Sequence, residues 1–175
     1  MRRHGVSVPV RVFSRLAGRV AGTGPPNLFL TLGRHRRLFW GWLHFAGRLM
    51  PGGRLPRRLS ELVILRVATL RECAYELEHH RRLGRRAGLT AADLRRVRHG
   101  PAAPGWTWRE RLLLSAADEL HATRDLSDAT RHDLLAAFGD TVLIELVMLV
   151  GHYEMLATAI TALRIAPDQP RSGSD

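Results

Sequence analysis

From Leu28 onward the apolar residues of this 175-residue chain return every three or four positions, and no convincing strand pattern or hairpin signal interrupts them. Leu28, Leu32, Leu38, Phe39, Trp42, Phe45 and Leu49 form one face of a helix over 28–49, which "PGG" at 51–53 stops. A second helix runs from about Pro56 to Leu70, since proline is tolerated in a first turn. Its buried face is Leu59, Leu62, Val63, Val67 and Leu70. A third helix spans about 73–87, with Gly88 as its C-terminal cap. Thr90 and Asp93 predict a capping box for a short helix to about 98, and Thr107 and Glu110 a stronger one for a helix to about 123. Ser127 starts a further helix that ends near Gly139, and Asp140 caps the last one, over 141–164. Trp106 and Trp108 flank the second capping box and read as packing residues. The expected fold is an all-α bundle of six to seven helices, a single domain over 27–165. Residues 1–26 lack a clear period and end in "GTGPPN", so they read as a flexible extension with at most one helical turn; 166–175 read as a disordered tail.

Charge divides the chain unevenly. Residues 1–60 hold twelve arginines and no acid; the remainder holds fifteen arginines against sixteen acids. There is no lysine, a pattern that GC-rich coding produces. The basic third reads as a tail followed by a solvated helix face, and its acid-free start also resembles a transit peptide. An anionic partner is the functional alternative, tested by charge reversal at Arg34, Arg36 and Arg37. No nucleic-acid motif accompanies the charge, so no nucleic-acid partner is expected. No run of eighteen apolar residues occurs, and no membrane partner is expected. A single cysteine excludes an internal disulfide framework and fits a reducing compartment, the cytoplasm.

That cysteine stands in "ECAYELEHH", residues 72–80, with two histidines and three acids close by. On a continuous helix Cys73, Glu76 and His80 fall at i, i+3 and i+7, so thiol, carboxylate and imidazole share one stripe with Leu77. Apolar surroundings raise a carboxyl pKa and a nearby carboxylate raises that of a histidine, which suits proton exchange near neutral pH. A helix N-terminus favours the Cys73 thiolate while Glu76 opposes it. Glu61 lies twelve residues before Cys73 and reaches the same pocket if the chain kinks around Arg71 and Glu72. Tyr75 is a candidate hydrogen-bond donor to substrate. Arg66 and Arg71 are the local candidates for a substrate carboxylate. Trp42, with His35, Phe39 and Trp40, is a candidate for an apolar mouth. A metal on Glu76, His79 and His80 would need His121 or His152 to complete it, and adjacent histidines point about 100° apart on a helix. No metal is expected, and without a Gly-rich phosphate loop or dinucleotide fingerprint no organic cofactor is expected either.

The stretches "ELVILRVATLRECAYELEHHRRLGRRAGLT", "ADELH" and "VGHYEMLATAITAL" resemble the carboxymuconolactone decarboxylase family, which includes alkylhydroperoxidase D and its relatives. The resemblance spans roughly residues 25–165. Its specific part is a glutamate, eleven residues, a cysteine, and a histidine seven beyond, which Glu61, Cys73 and His80 match. The resemblance implies an AhpD-like bundle, a small-molecule substrate, and homotrimers or hexamers whose neighbouring helices close the site. Peroxidase-type members carry Cys-x-x-Cys, and here the second cysteine is replaced by Glu76. One cysteine cannot cycle to a disulfide within one chain, so peroxiredoxin activity would require an external thiol. The decarboxylase branch does not need the pair. The expectation is a cofactor-free lyase or isomerase acting on a small organic acid, lactone or related carbonyl compound. His80 would be the main general acid/base, Glu61 and Glu76 would tune or relay its proton, and Cys73 would be a polar wall of the pocket or a secondary proton donor. A one-cysteine peroxidase and a non-catalytic binding scaffold are the alternatives.

Overall fold

The computed structural model describes residues 5–21 and 23–169. They form α1 (Val8–Ala21), α2 (Asn27–Leu32), α3 (Arg36–Leu49), α4 (Arg57–Leu70), α5 (Ala74–Arg86), α6 (Ala91–Arg96), a 3-10 turn (Val97–His99), α7 (Trp108–Thr123), α8 (Asp128–Phe138) and α9 (Asp140–Ala162). Beyond an isolated bridge residue at Thr23, no strand occurs among the described residues. The expected all-α bundle is therefore the fold, with more helices than the apolar period alone suggested.

Two of the extra helices have identifiable causes. The 28–49 segment divides because His35 turns its ring back to accept from Leu38 N at 3.3 Å, capping α3 as a separate helix. The N-terminal segment makes four turns of helix instead of one, because its apolar face has a partner. Val10 is fully buried, and Phe13 stacks on Phe29 with ring centroids 5.8 Å apart. Gly33 admits this contact, since a Cβ there would come within 2.4 Å of Val10 Cγ1. At the other end, residues 166–169 run back along α2, where Asn27 Nδ2 donates to the carbonyls of Ala166 and Pro167. Residues 170–175 lie outside the described residues.

The centre of the molecule is α4, buried from Ser60 through Ala68 and packed against α7, α5 and α9. Both expected capping boxes are present, at Thr90/Asp93 and Thr107/Glu110, and Ser127 caps α8. Gly139, not Asp140, is the cap residue of α9. Trp106 packs in the core and donates to Gly100 O at 3.0 Å, whereas Trp108 is 56% exposed and lies outside it. By length and composition α9 is apolar enough to cross a membrane. Its inner face of Leu146, Leu149, Val150, Leu156 and Ile160 is the core of the bundle. Its two glutamates are tied within the fold as well. Glu145 accepts from Arg54 N and Leu55 N at 2.6 and 3.0 Å, and Glu154 lies 2.6 Å from His121.

Candidate functional site

The turn between α4 and α5 creates the site. Glu72 takes a left-handed conformation, φ 51°, and Cys73 is extended at the N-cap of α5. The chain therefore folds back, and α5 lies along α4 with its Glu76/His80 face towards Glu61. Glu61 is fully buried, and Glu76 and His80 are each 3% exposed. His80 Nδ1 lies 2.7 Å from Glu61 Oε2, and His80 Nε2 lies 3.2 Å from Glu76 Oε2. Glu61 Oε1 is 2.6 Å from Arg57, one turn earlier on α4.

Two carboxylates on one imidazole decide its charge. Burial disfavours the cation, but the hydrogen bonds to Glu61 and Glu76 outweigh it and push His80 up to about 9. At neutral pH both ring nitrogens are protonated and both donate. The Tyr153 ring stands edge-on to His80 with centroids 5.0 Å apart, and burial raises its phenol well above the ordinary value. Two neighbouring histidines go the other way. Burial, with the His80 charge second, lowers His79 to about 3, and burial lowers His152 to about 4. Three histidines within one region thus hold opposite protonation states.

Of these groups Glu76, His79, His80, His152 and Tyr153 line a cavity of about 550 Å³, and Glu61 lies behind His80. Arg57, Glu76, His79, His80, His152 and Tyr153 supply its polar wall, while Phe13, Phe29, Trp42, Leu43, Met50 and Leu156 supply much of the apolar remainder. Trp42 and His152 stack, centroids 6.2 Å apart. Four buried polar atoms on lining residues have no hydrogen-bond partner: Glu76 Oε1, Trp42 Nε1, His79 Nδ1 and His152 Nδ1. Such orphans are uncommon in a folded interior and mark a polar place in an apolar wall.

Several expected roles need correction. Cys73 is 3% exposed, sits in the hydrophobic core and does not line the cavity; burial raises its thiol, with the Glu76 charge adding to it. Arg66 does not reach the cavity either. It forks onto Asp118 at 2.6 and 2.8 Å and donates to the carbonyls of Val97 and Arg98. Arg71 faces α9, with Glu154 at 3.6 Å and Thr158 Oγ1 at 3.0 Å. In both cases the guanidinium follows an acid brought near by tertiary packing, which helix spacing does not reveal. The Tyr75 ring lines the cavity, but its hydroxyl is engaged by Asp168 at 2.9 Å and by Leu28 N at 3.4 Å. Of the expected mouth residues Trp42 lines the cavity; His35, Phe39 and Trp40 do not. His121 is held by Glu154, away from His80. The residues missed were Arg57, Phe13 and Phe29. Arg57 had a visible signal, its i,i+4 spacing to Glu61.

The family comparison adds the context for this geometry. Residues 36–119, which carry Glu61, Cys73, Glu76 and His80, match the model of the carboxymuconolactone decarboxylase family. Over these residues the chain is similar to the carboxymuconolactone decarboxylase family. Solved structures share the AhpD-like fold. An uncharacterized peroxidase-related protein from Silicibacter sp. TM1040 superposes with a TM-score of 0.84 at 16% identity, covering 99% of this chain and 96% of that one. The alkylhydroperoxidase AhpD core of an uncharacterized peroxidase-related protein from Ralstonia eutropha JMP134 gives 0.81 at 18%, covering 93% and 86%. A protein of unknown function from Agrobacterium tumefaciens, named as a candidate antioxidant defence protein AhpD, gives 0.68 at 21%, covering 74% and 89%. At these identities the likeness is one of fold. No curated protein matches the sequence.

Proposed function

We propose that this carboxymuconolactone decarboxylase-like chain is a cofactor-free enzyme that moves protons on a small, largely apolar lactone, organic acid or related carbonyl compound. The observation that supports this most is the buried Glu61–His80–Glu76 array, whose Glu76 and His80 line a largely apolar cavity. Both nitrogens of His80 are taken by carboxylates, so the ring acts as a relay between them. Glu76 is the end of the relay that faces the substrate, since its Oε1 has no partner. In this reading Glu76 removes a proton from the substrate. His80 holds the proton array together and returns a proton to the developing oxyanion or carbanion through Glu76. Glu61, anchored by Arg57, balances the imidazolium. Uncharged members of the substrate class fit best, because Arg66 and Arg71 are engaged elsewhere and Arg57 is held by Glu61.

The neighbouring structures' names point to peroxidase chemistry. A buried thiol with a raised pKa, away from the cavity, does not suit a peroxidatic role. The test is solvent deuterium uptake into a panel of apolar lactones and ketones. Wild type and Cys73→Ser are expected to exchange the proton next to the carbonyl, and Glu76→Gln and His80→Gln to lose it. Thiol-dependent peroxide consumption that disappears in Cys73→Ser, with no exchange in wild type, would overturn the reading.

A further inference from the structure

A second concave site lies away from the cavity, between α5 and the α6–3-10 segment. Its volume is about 460 Å³, and its lining is Arg81, Arg85, Ala91, Leu94, Arg95, Arg98 and His99. No acid contributes to it. Elsewhere in the fold arginines near acids are paired: Arg57 with Glu61, Arg58 with Asp93 and Glu110, Arg66 with Asp118, Arg71 with Glu154. Among the described residues, no hydrogen bond or ion pair engages the guanidiniums of Arg81, Arg85, Arg95 and Arg98. The one acid on this stretch of chain, Asp93, is already held by Arg58 and Arg96. Residues 79–99 carry seven arginines against that single acid, a concentration hidden when charge is averaged over the last two thirds of the sequence. Coding bias supplies arginines, but it does not turn four unpaired ones towards one hollow while their neighbours are paired.

We infer that this hollow binds a small molecule carrying a di- or polyphosphate group. The arrangement of its walls argues for that class. Arg81 and Arg85 stand one turn apart on α5, about 6 Å along the axis. Arg95 and Arg98 occupy the opposite wall, beside His99. Each wall therefore offers two guanidiniums, and each guanidinium can fork onto one phosphoryl group. A diphosphate offers two phosphoryl groups to these four guanidiniums, whereas a monophosphate offers one. The hollow is of small-molecule size, and Ala91 and Leu94 give it a small apolar surface against which an attached organic group can rest. An extended polyanion such as a nucleic acid would instead call for a stripe of charge along the surface.

The experiment is calorimetric titration of the full chain at about 0.15 M salt, where long-range attraction is screened beyond roughly 8 Å. The probes are inorganic phosphate, inorganic pyrophosphate and ADP. Pyrophosphate is expected to bind more tightly than phosphate, and ADP at least as tightly as pyrophosphate if a nucleotide is the source. The double variant Arg85→Glu/Arg95→Glu is expected to weaken pyrophosphate binding by roughly tenfold or more, since two charge-assisted contacts are reversed. Both side chains are exposed, and an unchanged ligand-free melting curve checks the fold. Arg98→Gln gives the same direction with a smaller change. The control is Arg36→Glu/Arg37→Glu, which makes an equal change in net charge on another exposed segment and is expected to leave binding intact. Equal loss in both double variants would overturn the inference, because binding would then follow net charge alone. Absence of pyrophosphate binding would overturn it outright. A single-stranded oligonucleotide that binds and is not displaced by excess pyrophosphate would also overturn it, in favour of a nucleic-acid surface.

Discussion

At the scale of single residues, the roles are set by what each side chain reaches, and four side chains reach something other than their spacing implied. Arg66 is the clearest. Its four hydrogen bonds tie α4 to α7 and to the 3-10 turn, so its work is structural. Arg66→Lys is expected to lower stability by about 2–3 kcal/mol, through lost charge-assisted hydrogen bonds, without changing affinity for a cavity ligand. Urea melts and a ligand titration on the same variant check both halves. Cys73 belongs to the same lesson. Cys, Glu and His at i, i+3 and i+7 share a stripe only if the helix is already formed at Cys73. In the structure it is the extended N-cap residue, and its side chain turns into the core. Cys73→Ser is expected to change stability by less than about 1 kcal/mol, since a serine at this N-cap can accept from the Tyr75 and Glu76 amides, and to leave turnover near wild type. The pairing of Glu61 with His80 was legible, because both belong to the motif and a kink between them was the stated condition. Arg57 was legible only as a helix pair. The engagement of Tyr75 by Asp168 joins residues 93 positions apart, and no local pattern encodes it.

At the scale of elements, the site depends on one corner. The left-handed conformation of Glu72 lets α5 reverse along α4, and it brings Glu61 within hydrogen-bond reach of His80. A non-glycine residue in that conformation carries a cost of about 1–2 kcal/mol. Glu72→Gly is therefore expected to leave stability level or raise it by up to about 1 kcal/mol, and Glu72→Val to lower it by about 1–2 kcal/mol. Thermal unfolding of the two variants side by side measures the difference. Helix starts were readable because capping chemistry is local: Thr90/Asp93 and Thr107/Glu110 form the expected boxes. Helix α1 was not readable, since its apolar residues gain meaning only from Phe29 and Gly33, which they meet in the fold.

At the scale of the whole molecule, protonation links the site to stability and to activity. The folded value of His80, about 9, lies above the ordinary histidine value of 6.5. Its contribution to stability is fully present below about 6.5 and is lost as pH rises through about 9. His79 and His152 are displaced downward, to about 3 and about 4, so the unfolded chain takes up their protons first as pH falls below 6.5. Stability is thus expected to peak near neutrality and to decline on both sides, by chemical denaturation across the pH range. His80→Gln is expected to remove the alkaline decline and keep the acid one. Exchange activity is expected to fall with the same alkaline limb, because the relay loses its proton there. The apolar cavity wall has its own whole-molecule origin: α1, α2, α3 and α9 each contribute to it, so its shape appears only once the chain has closed.

The central claim is that His80 rests as an imidazolium between two buried carboxylates. It is tested most directly by nitrogen-15 NMR of the histidine rings, with His80→Gln to assign the signal. The account predicts that at pH 7 both His80 ring nitrogens carry protons and that the ring titrates near pH 9. One protonated and one bare nitrogen at pH 7, with titration at or below 6.5, would contradict it.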